Sequence, residues 1–221
     1  MSGFFETMLL TFQIAFITTS ILLLIGIAIG YFLAYSKNPI VPILEALVSM
    51  PLVLPPSVLG FYLLVAFSPN NFFGAFLQNV FDIKLVFSFE GLIVASVIFS
   101  LPFMVNPIQA GFTNLPKSLF EAALTLGKSR LEIIFKVLLP NISRSILSGV
   151  VIAFAHTIGE FGVVMMIGGN IQGETRVASI AIYDEVESLN YSLAHEYAFT
   201  LFIISFAILL VTFYLNKKKS L

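Results

Sequence analysis

The chain has 221 residues, of which 58% are hydrophobic and only 10% are charged. Soluble globular proteins are roughly 45–50% apolar and about 25% charged, so this composition excludes an ordinary water-soluble domain and predicts a membrane protein. The absence of cysteine excludes disulfides, thiolate metal sites and cysteine nucleophiles, and the net charge of −1 indicates no particular partner.

Five apolar stretches are long enough to cross a bilayer, because a helix of about 20 residues spans roughly 30 Å of hydrocarbon. In chain order, we predict spans at about 7–35, 43–67, 90–113, 144–168 and 197–215. The segment 170–195 fits a loop, a re-entrant segment or a sixth span. The predicted fold class is therefore an all-α membrane protein, with residues 1–221 in a single transmembrane domain.

Basic residues are divided unequally between the two sides of this five-span arrangement. Only Lys84 and Arg176 fall on one side; the other side has Lys37, Lys117, Lys128, Arg130, Lys136, Arg144, Lys217, Lys218 and Lys219. Because Lys and Arg are enriched in cytoplasmic loops, we predict that the N-terminus lies outside and the C-terminus in the cytoplasm. No basic residue precedes the first apolar stretch, which favours a retained helix over a cleaved signal peptide.

The predicted cytoplasmic loop, 115–140, has the pattern of two short amphipathic helices separated by a glycine. Ser118 and Glu121 mark the first helix start, since Ser-x-x-Glu is the pattern of a capping box. Gly127 permits a sharp turn, and a second helix is expected over about 129–139, ended by the proline that follows. Amphipathicity alone leaves two interpretations open: the hairpin links two spans, or it binds a partner.

The fourth predicted span contains two ionisable residues, His156 and Glu160, which lie four positions apart and therefore on one helix face. Ionisable groups inside a membrane are costly and usually face a cavity or a partner. A metal site would need further ligands, and a proton relay would need a chain of titratable groups. We therefore expect a structural or gate-region pair that faces the helix bundle.

Glycines and prolines within the predicted spans have two interpretations each. Small residues either let helices pack closely or line a pore; the glycines concerned are Gly159, Gly162, Gly168 and Gly169. Pro51, Pro55 and Pro56 must kink or break the second span, because proline has no backbone donor. That kink either only bends the span or also shapes a water-filled path, where freed backbone groups are tolerated.

The loop between the third and fourth spans resembles the EAA loop of ABC-importer permeases. The matching residues are Glu121-Ala122-Ala123, then Gly127, then Leu138-Leu139-Pro140. The resemblance implies that the helix around the alanine pair binds in a cleft of a separate ATPase subunit, while the glycine turns the chain back toward the membrane. Glu121, Ala122, Ala123 and Gly127 are therefore the expected ATPase-coupling residues.

Two further segments resemble the molybdate permeases within this class. They are Pro-Leu-Val-Leu-Pro-Pro at 51–56 and the segment 155–183, which includes Gly-Glu-Phe-Gly, Gly-Gly-Asn and Gly-Glu-Thr-Arg. Together with the proline breaks and the ionisable pair, these segments give the expected residues of a translocation path or gate: Pro51, Pro55, Pro56, His156, Thr157, Gly159 and Glu160. The position of His156 is commonly arginine in that family, so a permanent positive charge is absent here. Tungstate and sulfate or thiosulfate permeases share the architecture and are alternatives.

The resemblance implies an importer subunit that performs no chemistry itself. The sequence contains no G-x-x-x-x-G-K-[ST] phosphate loop, so ATP and Mg²⁺ are expected on partner ATPases, with no cofactor, metal or catalytic residue in this chain. The expected assembly is a permease homodimer in the cytoplasmic (inner) membrane, with two ATPase subunits and an oxyanion-binding protein outside, and without nucleic acid. A secondary transporter or an intramembrane enzyme is the alternative class, disfavoured by the lack of inverted repeats and of a catalytic constellation.

Overall fold

The computed structural model describes residues 2–218, and every regular element in that range is helical. The helices are α1 (Ser2–Tyr35), α2 (Val41–Ser49), α3 (Pro56–Phe67), α4 (Phe72–Phe81), α5 (Phe89–Thr113), α6 (Lys117–Thr125), α7 (Arg130–Ile133), α8 (Leu139–Asn141), α9 (Ser143–Gly159), α10 (Gly162–Gly168), α11 (Ala178–Glu187) and α12 (Tyr191–Lys218). A 3₁₀ turn (Met50–Leu52) follows α2, and a π-helical segment (Ile134–Leu138) joins α7 to α8. Lys219, one of the basic residues used to predict orientation, lies outside the described residues.

Within the described residues, three helices are each long and apolar enough to cross a membrane. They are Gly3–Tyr35, Phe89–Thr113 and Tyr191–Tyr214. Two bent pairs reach that length together: Val41–Leu52 with Pro56–Phe67, bent by 109°, and Arg130–Asn141 with Ser143–Gly159, bent by 72°. Three to five candidate spans and the all-helical structure confirm the predicted fold class.

The segment 170–195, whose placement the sequence leaves open, forms turns, one short helix and the first residues of α12. The helix α11 has 10 residues and a length of about 15 Å, which is too short to cross the bilayer. Ala178, Ile180 and Ala181 on this helix are buried. This segment therefore supplies no sixth span and packs against the rest of the bundle.

Two of the predicted spans are interrupted. The second breaks between the 3₁₀ turn and α3, as its prolines predict. The fourth predicted span, 144–168, is not one continuous helix, because α9 ends at Gly159 and α10 begins at Gly162. Between them, Glu160 has an extended backbone (φ −69°, ψ 131°), which is incompatible with continuing the helix.

The second helix of the 115–140 loop also differs from its prediction. Pro140 does not end it: the helical chain continues to Asn141 before bending into α9. The π-helical segment directly precedes α8, so the hydrogen-bond pattern changes where the proline lacks a donor. The bend at Ile142 then directs the chain into the bundle.

The two long helices α1 and α5 run parallel and in close contact. A Cβ added at Gly26 would lie 2.6 Å from Cγ of Met104, and one added at Gly30 would lie 2.8 Å from Cγ2 of Ile108. Each pair advances by one helical turn in the same direction, which establishes the parallel arrangement. The small-xxx-small spacing lets the two backbones approach closely, as in other membrane helix pairs.

Buried apolar side chains form two large clusters at different levels of the bundle. The proximal core, next to α6, includes Leu22, Met104, Ile108, Phe112, Ala123, Ile133, Leu138, Ile142 and Ala153. The distal core includes Leu59, Leu63, Phe67, Leu92, Ala95, Phe99, Val163, Val164 and Ile167. The helix α5 contributes to both cores, and Pro102 lies between its distal and proximal residues.

Candidate functional site

The segment Lys117–Ile133, termed here the α6–α7 hairpin, turns at Gly127. Gly127 has a φ of +72°, in the left-handed region that glycine adopts without strain. Its N–H donates to the carbonyl of Leu124 at 2.9 Å, and the N–H of Lys128 donates to the carbonyl of Ala123 at 3.2 Å. This pair of bonds is a Schellman motif, so Gly127 is the left-handed cap that the sequence predicts.

The four predicted coupling residues do not share one surface. Ala123 is 6% exposed and packs in the proximal core, whereas Glu121, Ala122 and Gly127 are exposed. The alanine therefore fixes α6 to the bundle, while the other three remain accessible to a partner.

Apolar residues that the motif does not include are also exposed on the hairpin and the helix that follows. Leu124 is 45% exposed, Leu126 78%, Leu131 68% and Phe135 66%. We call these four the hairpin surface. Exposed apolar patches of this kind are typical of interaction sites. In the sequence they are visible only as apolar residues of the predicted cytoplasmic loop.

The predicted capping box at Ser118 and Glu121 is wrong. The residue before the helix is Pro116, so Ser118 already lies inside α6 and no side chain caps it. The same pattern forms a capping box at the start of α7, where the N–H of Glu132 donates to Oγ of Ser129 and the N–H of Ser129 donates to Oε2 of Glu132, both at 3.3 Å.

Glu132 is the most strongly perturbed carboxyl of the hairpin. Nζ of Lys136 donates a hydrogen bond to its Oε1 at 3.0 Å. This bond, the backbone bond from Ser129 and the charges of Lys136 and Lys128 hold the pKa of Glu132 at about 2. The second helix of the hairpin thus begins with a charged, doubly bonded cap.

A cavity of about 750 Å³ lies between the end of α1 and the start of α6. Its lining residues are Tyr31, Phe32, Tyr35, Ser36, Lys37, Pro116, Lys117, Phe120, Glu121 and Arg130. The cavity brings together Lys37, Lys117 and Arg130, three of the residues that the charge distribution places on one side of the membrane. They share one end of the bundle because α1 and α5 run parallel.

The two broken spans meet at their breaks. A Cβ added at Gly162 would lie 2.7 Å from Cβ of Pro56, so the first residues of α10 and α3 are in direct contact. Pro55 precedes α3 and is exposed, whereas Pro51 lies in the 3₁₀ turn and is buried. Of the predicted path residues in the second span, Pro51 is thus buried and Pro55 is accessible.

Glu160 lies at the break between α9 and α10 and is 5% exposed. Its Oε1 accepts a hydrogen bond from the N–H of Val163 at 2.8 Å, and its backbone carbonyl accepts one from Oγ of Ser179. The carboxylate therefore satisfies a free donor in the first turn of α10 and ties the break to α11. This capping role replaces the predicted pairing with His156 along one helix face.

His156 and Thr157 face the helix bundle. The His156 ring lies 4.9 Å from the ring centroid of Phe99 and 3.9 Å from that of Phe103. Its Nε2 is buried and has no hydrogen-bond partner among the described residues. Oγ1 of Thr157 is 3.0 Å from Oγ of Ser100, which links α9 to α5. These two residues hold the helices together rather than forming a charged site.

The glycines around the break separate into two kinds. Gly168 is tightly packed, because an added Cβ would lie 2.5 Å from Cδ2 of Leu92, and Gly162 is packed against Pro56. Gly159 is exposed, and an added Cβ would meet nothing within 4 Å. The packing interpretation therefore applies to Gly162 and Gly168, and Gly159 borders open space.

Glu45 on α2 makes a contact that the sequence did not predict. Nε2 of Gln109 donates a hydrogen bond to Oε1 of Glu45 at 2.5 Å, so α2 is joined to α5 by a polar contact. The signal available from sequence was a single carboxylate inside the predicted span 43–67. Such a residue needs a partner in a membrane, and the partner amide lies 64 positions away.

The chain resembles transport proteins over most of its length. It is 42% identical over 200 residues to the molybdenum transport system permease protein ModB of Azotobacter vinelandii, covering 90% of this chain and 88% of that one. It is 36% identical over 195 residues to the sulfate transport system permease protein CysT of Salmonella typhimurium, covering 88% of this chain and 69% of that one. In fold, it is similar to a crystal structure of a bacterial ABC transporter involved in the import of the acidic polysaccharide alginate, with a TM-score of 0.79, 16% identity, and coverage of 99% and 80%.

The fold and the hairpin define a membrane subunit with the architecture of an ABC-importer permease. Residues 24–219 match the family described as binding-protein-dependent transport system inner membrane component, and the chain belongs to this family.

Proposed function

We propose that the chain is the membrane subunit of an ATP-driven importer of molybdate, acting as a homodimer with two ATPase subunits and an external oxyanion-binding protein. The observation that carries this proposal is the α6–α7 hairpin with its exposed apolar surface, in a chain 42% identical to a molybdenum permease. ATP and Mg²⁺ bind to the partner ATPase, so this chain performs no chemistry.

The proposed coupling runs from the hairpin surface to the proximal core. An ATPase subunit covers Leu124, Leu126 and Leu131, whose exposure leaves room for a partner. When the ATPase dimer closes, it displaces α6. Ala123 transmits the displacement because it is packed in the proximal core, and the bundle changes between inward-facing and outward-facing arrangements.

The proposed oxyanion path runs beside the paired helix breaks. Gly159 borders open space there, and Pro55 is exposed at the facing break. Glu160 is not a ligand in this proposal, since a carboxylate repels a divalent oxyanion; it maintains the break by capping α10. His156 supplies no fixed positive charge to the path, so selection of the anion falls mainly to the external binding protein.

The proposed orientation places the α6–α7 hairpin in the cytoplasm, the N-terminus outside and the C-terminus inside. Its support is the cavity at which Lys37, Lys117 and Arg130 meet, together with the enrichment of basic residues on cytoplasmic surfaces. The chain has no native cysteine, so single cysteines can be labelled without background. In intact spheroplasts, an impermeant thiol reagent should label a cysteine at Gln172 and spare one at Ser118. Labelling of position 118 from outside contradicts the orientation.

The substrate is tested in proteoliposomes that contain the permease, its ATPase and its binding protein. We expect ATP-dependent uptake of labelled molybdate that excess sulfate or thiosulfate does not reduce, while tungstate competes. A sulfate importer is the second candidate, because the sulfate permease relative is 36% identical over 88% of this chain. Uptake of sulfate without uptake of molybdate would replace the proposed substrate with that alternative. Binding measurements on the isolated binding protein distinguish molybdate from tungstate.

A further inference from the structure

The helix α4 is amphipathic, and its apolar residues are exposed. Phe72, Phe76 and Val80 follow each other at intervals of four and are 87%, 46% and 58% exposed, and the neighbouring Phe73 is 47% exposed. Residues at this spacing share one side of a helix. Gln78 is exposed on the opposite side, Asn79 borders the apolar side because it follows Phe76 by three positions, and the helix contains no charged residue.

A third side of α4 is fixed to the bundle. A Cβ at Gly74 would overlap the backbone carbonyls of Phe67 and Ser68, so α4 lies directly against the end of α3. Leu77 packs against the distal core. The exposed apolar side is thus held in a fixed direction and does not turn inward.

The position of α4 in the chain places it at a membrane boundary. Four residues (68–71) separate it from α3, and seven (82–88) separate it from α5, so it lies within roughly 15–25 Å of the ends of two membrane helices. Because α5 runs from α4 to α6, α4 lies at the end of the bundle opposite the α6–α7 hairpin. The neighbouring membrane helix α3 also exposes aromatic side chains, since Phe61 is 50% and Tyr62 63% exposed.

We propose that α4 is an interfacial helix whose partner is the surface of the lipid bilayer. Phe72, Phe76 and Val80 lie at the boundary of the acyl chains, and Gln78 faces water. A soluble partner that dissociates would leave several aromatic side chains exposed to water in each cycle, whereas the bilayer covers them permanently. Since α4 has no charge, it recognises the polarity gradient of the interface rather than anionic headgroups. This inference depends on membrane insertion and not on the transported anion.

The test uses single cysteines in the full permease–ATPase complex, each labelled with an environment-sensitive fluorophore. Phe76→Cys and Val80→Cys report the apolar side, and Gln78→Cys is the matched control on the polar side of the same helix. The complexes are reconstituted in phosphatidylcholine vesicles, with and without a lipid brominated near its headgroup. We expect labels at 76 and 80 to emit at shorter wavelength, to be quenched by the brominated lipid and to be shielded from iodide. A label at 78 should show the reverse.

Four results would overturn the proposal. Equal iodide quenching at all three positions, without quenching by brominated lipid, places the whole helix in water. Shielding at 76 and 80 that appears only after the binding protein is added indicates a docking site for that protein. Shielding from both quenchers indicates burial against protein, such as a second copy of the chain.

Addition of an anionic phospholipid should leave the lipid quenching unchanged, and a several-fold increase would contradict recognition by polarity alone. Val80→Cys provides the same readout if Phe76→Cys does not fold.

Discussion

Replacing Gly127 with valine isolates the backbone conformation of the α6–α7 hairpin. An added Cβ would meet nothing within 4 Å, so the substitution causes no steric overlap with neighbouring residues. Its cost arises from the φ of +72°, because a left-handed conformation costs an L-residue about 1–2 kcal/mol and a β-branched residue is still less suited to it. That cost lowers the population of the native turn by roughly 5- to 30-fold.

The fold itself should survive, since the same cost is small beside a total stability of about 5–15 kcal/mol. We therefore expect Gly127→Val to insert at normal levels but to retain less ATPase on purification and to lose most ATP-driven uptake of molybdate. Gly127→Asn is the matched control, because asparagine tolerates the left-handed region and should retain most uptake.

The assay compares both variants with the wild type in proteoliposomes, at equal permease content. ATPase copurification, ATP hydrolysis and uptake are measured on the same preparations. Wild-type coupling and uptake in Gly127→Val would show that the left-handed turn is not needed for docking. An equal loss in Gly127→Asn would also refute the reasoning, because the cause would then not be the value of φ.

Three further predictions follow from the helix breaks and from the hairpin. Gly162→Ala should destabilise the purified permease by about 1–3 kcal/mol and lower its melting temperature, because the new methyl group overlaps Pro56. Gly159→Ala should leave the melting temperature unchanged, since its added Cβ meets nothing within 4 Å. Equal melting temperatures of the two variants would contradict the contact between Gly162 and Pro56. Glu160→Gln keeps an oxygen acceptor for the N–H of Val163 and should retain partial uptake. Glu160→Ala leaves that donor unpaired, at a cost of about 0.5–2 kcal/mol, and should lose more of the uptake. Normal uptake and ATPase coupling in Glu160→Ala would exclude a role at the gate. The pKa of Glu132 is lowered to about 2 from its usual 4.5, so its stabilisation of the hairpin should be complete above pH 4.5 and be lost as pH falls through about 2. A spin label on the hairpin should therefore become more mobile over that interval in the wild type, and Glu132→Gln should remove this pH dependence.

The long apolar stretches and the prolines predicted much of the fold. The length of the apolar stretches alone locates α1, α5 and α12, because a chain segment that crosses lipid must pair its own backbone hydrogen-bonding groups within a helix. The break near Pro55 follows equally directly from the absence of a backbone N–H donor in proline. The break at Glu160 was not predicted, because the same carboxylate can contact His156 one turn earlier or the N–H of Val163 three residues later. The backbone between Gly159 and Gly162 decides between them.

Local pattern was also insufficient at the hairpin. Ser118-Leu-Phe-Glu and Ser129-Arg-Leu-Glu have the same spacing, yet only the second forms a capping box. Pro116 sets the start of α6 one residue before Ser118, which leaves that serine inside the helix. The link from Glu45 to Gln109 joins residues 64 positions apart, and such a contact depends on how α2 packs on α5, which no local pattern encodes.

The separation of the buried residues into a proximal and a distal core has a mechanical consequence. Ala123 of α6 belongs to the proximal core, so a force applied to the hairpin acts first on that half of the molecule. Both broken spans lose their helical continuity between the two cores, and α3 and α10 touch there at Pro56 and Gly162. The helices α1 and α5 contribute to both cores without interruption, and α5 has its proline at the boundary. If an ATPase displaces the hairpin as proposed, we expect α1 and α5 to tilt together and to carry the displacement to the opposite end of the molecule.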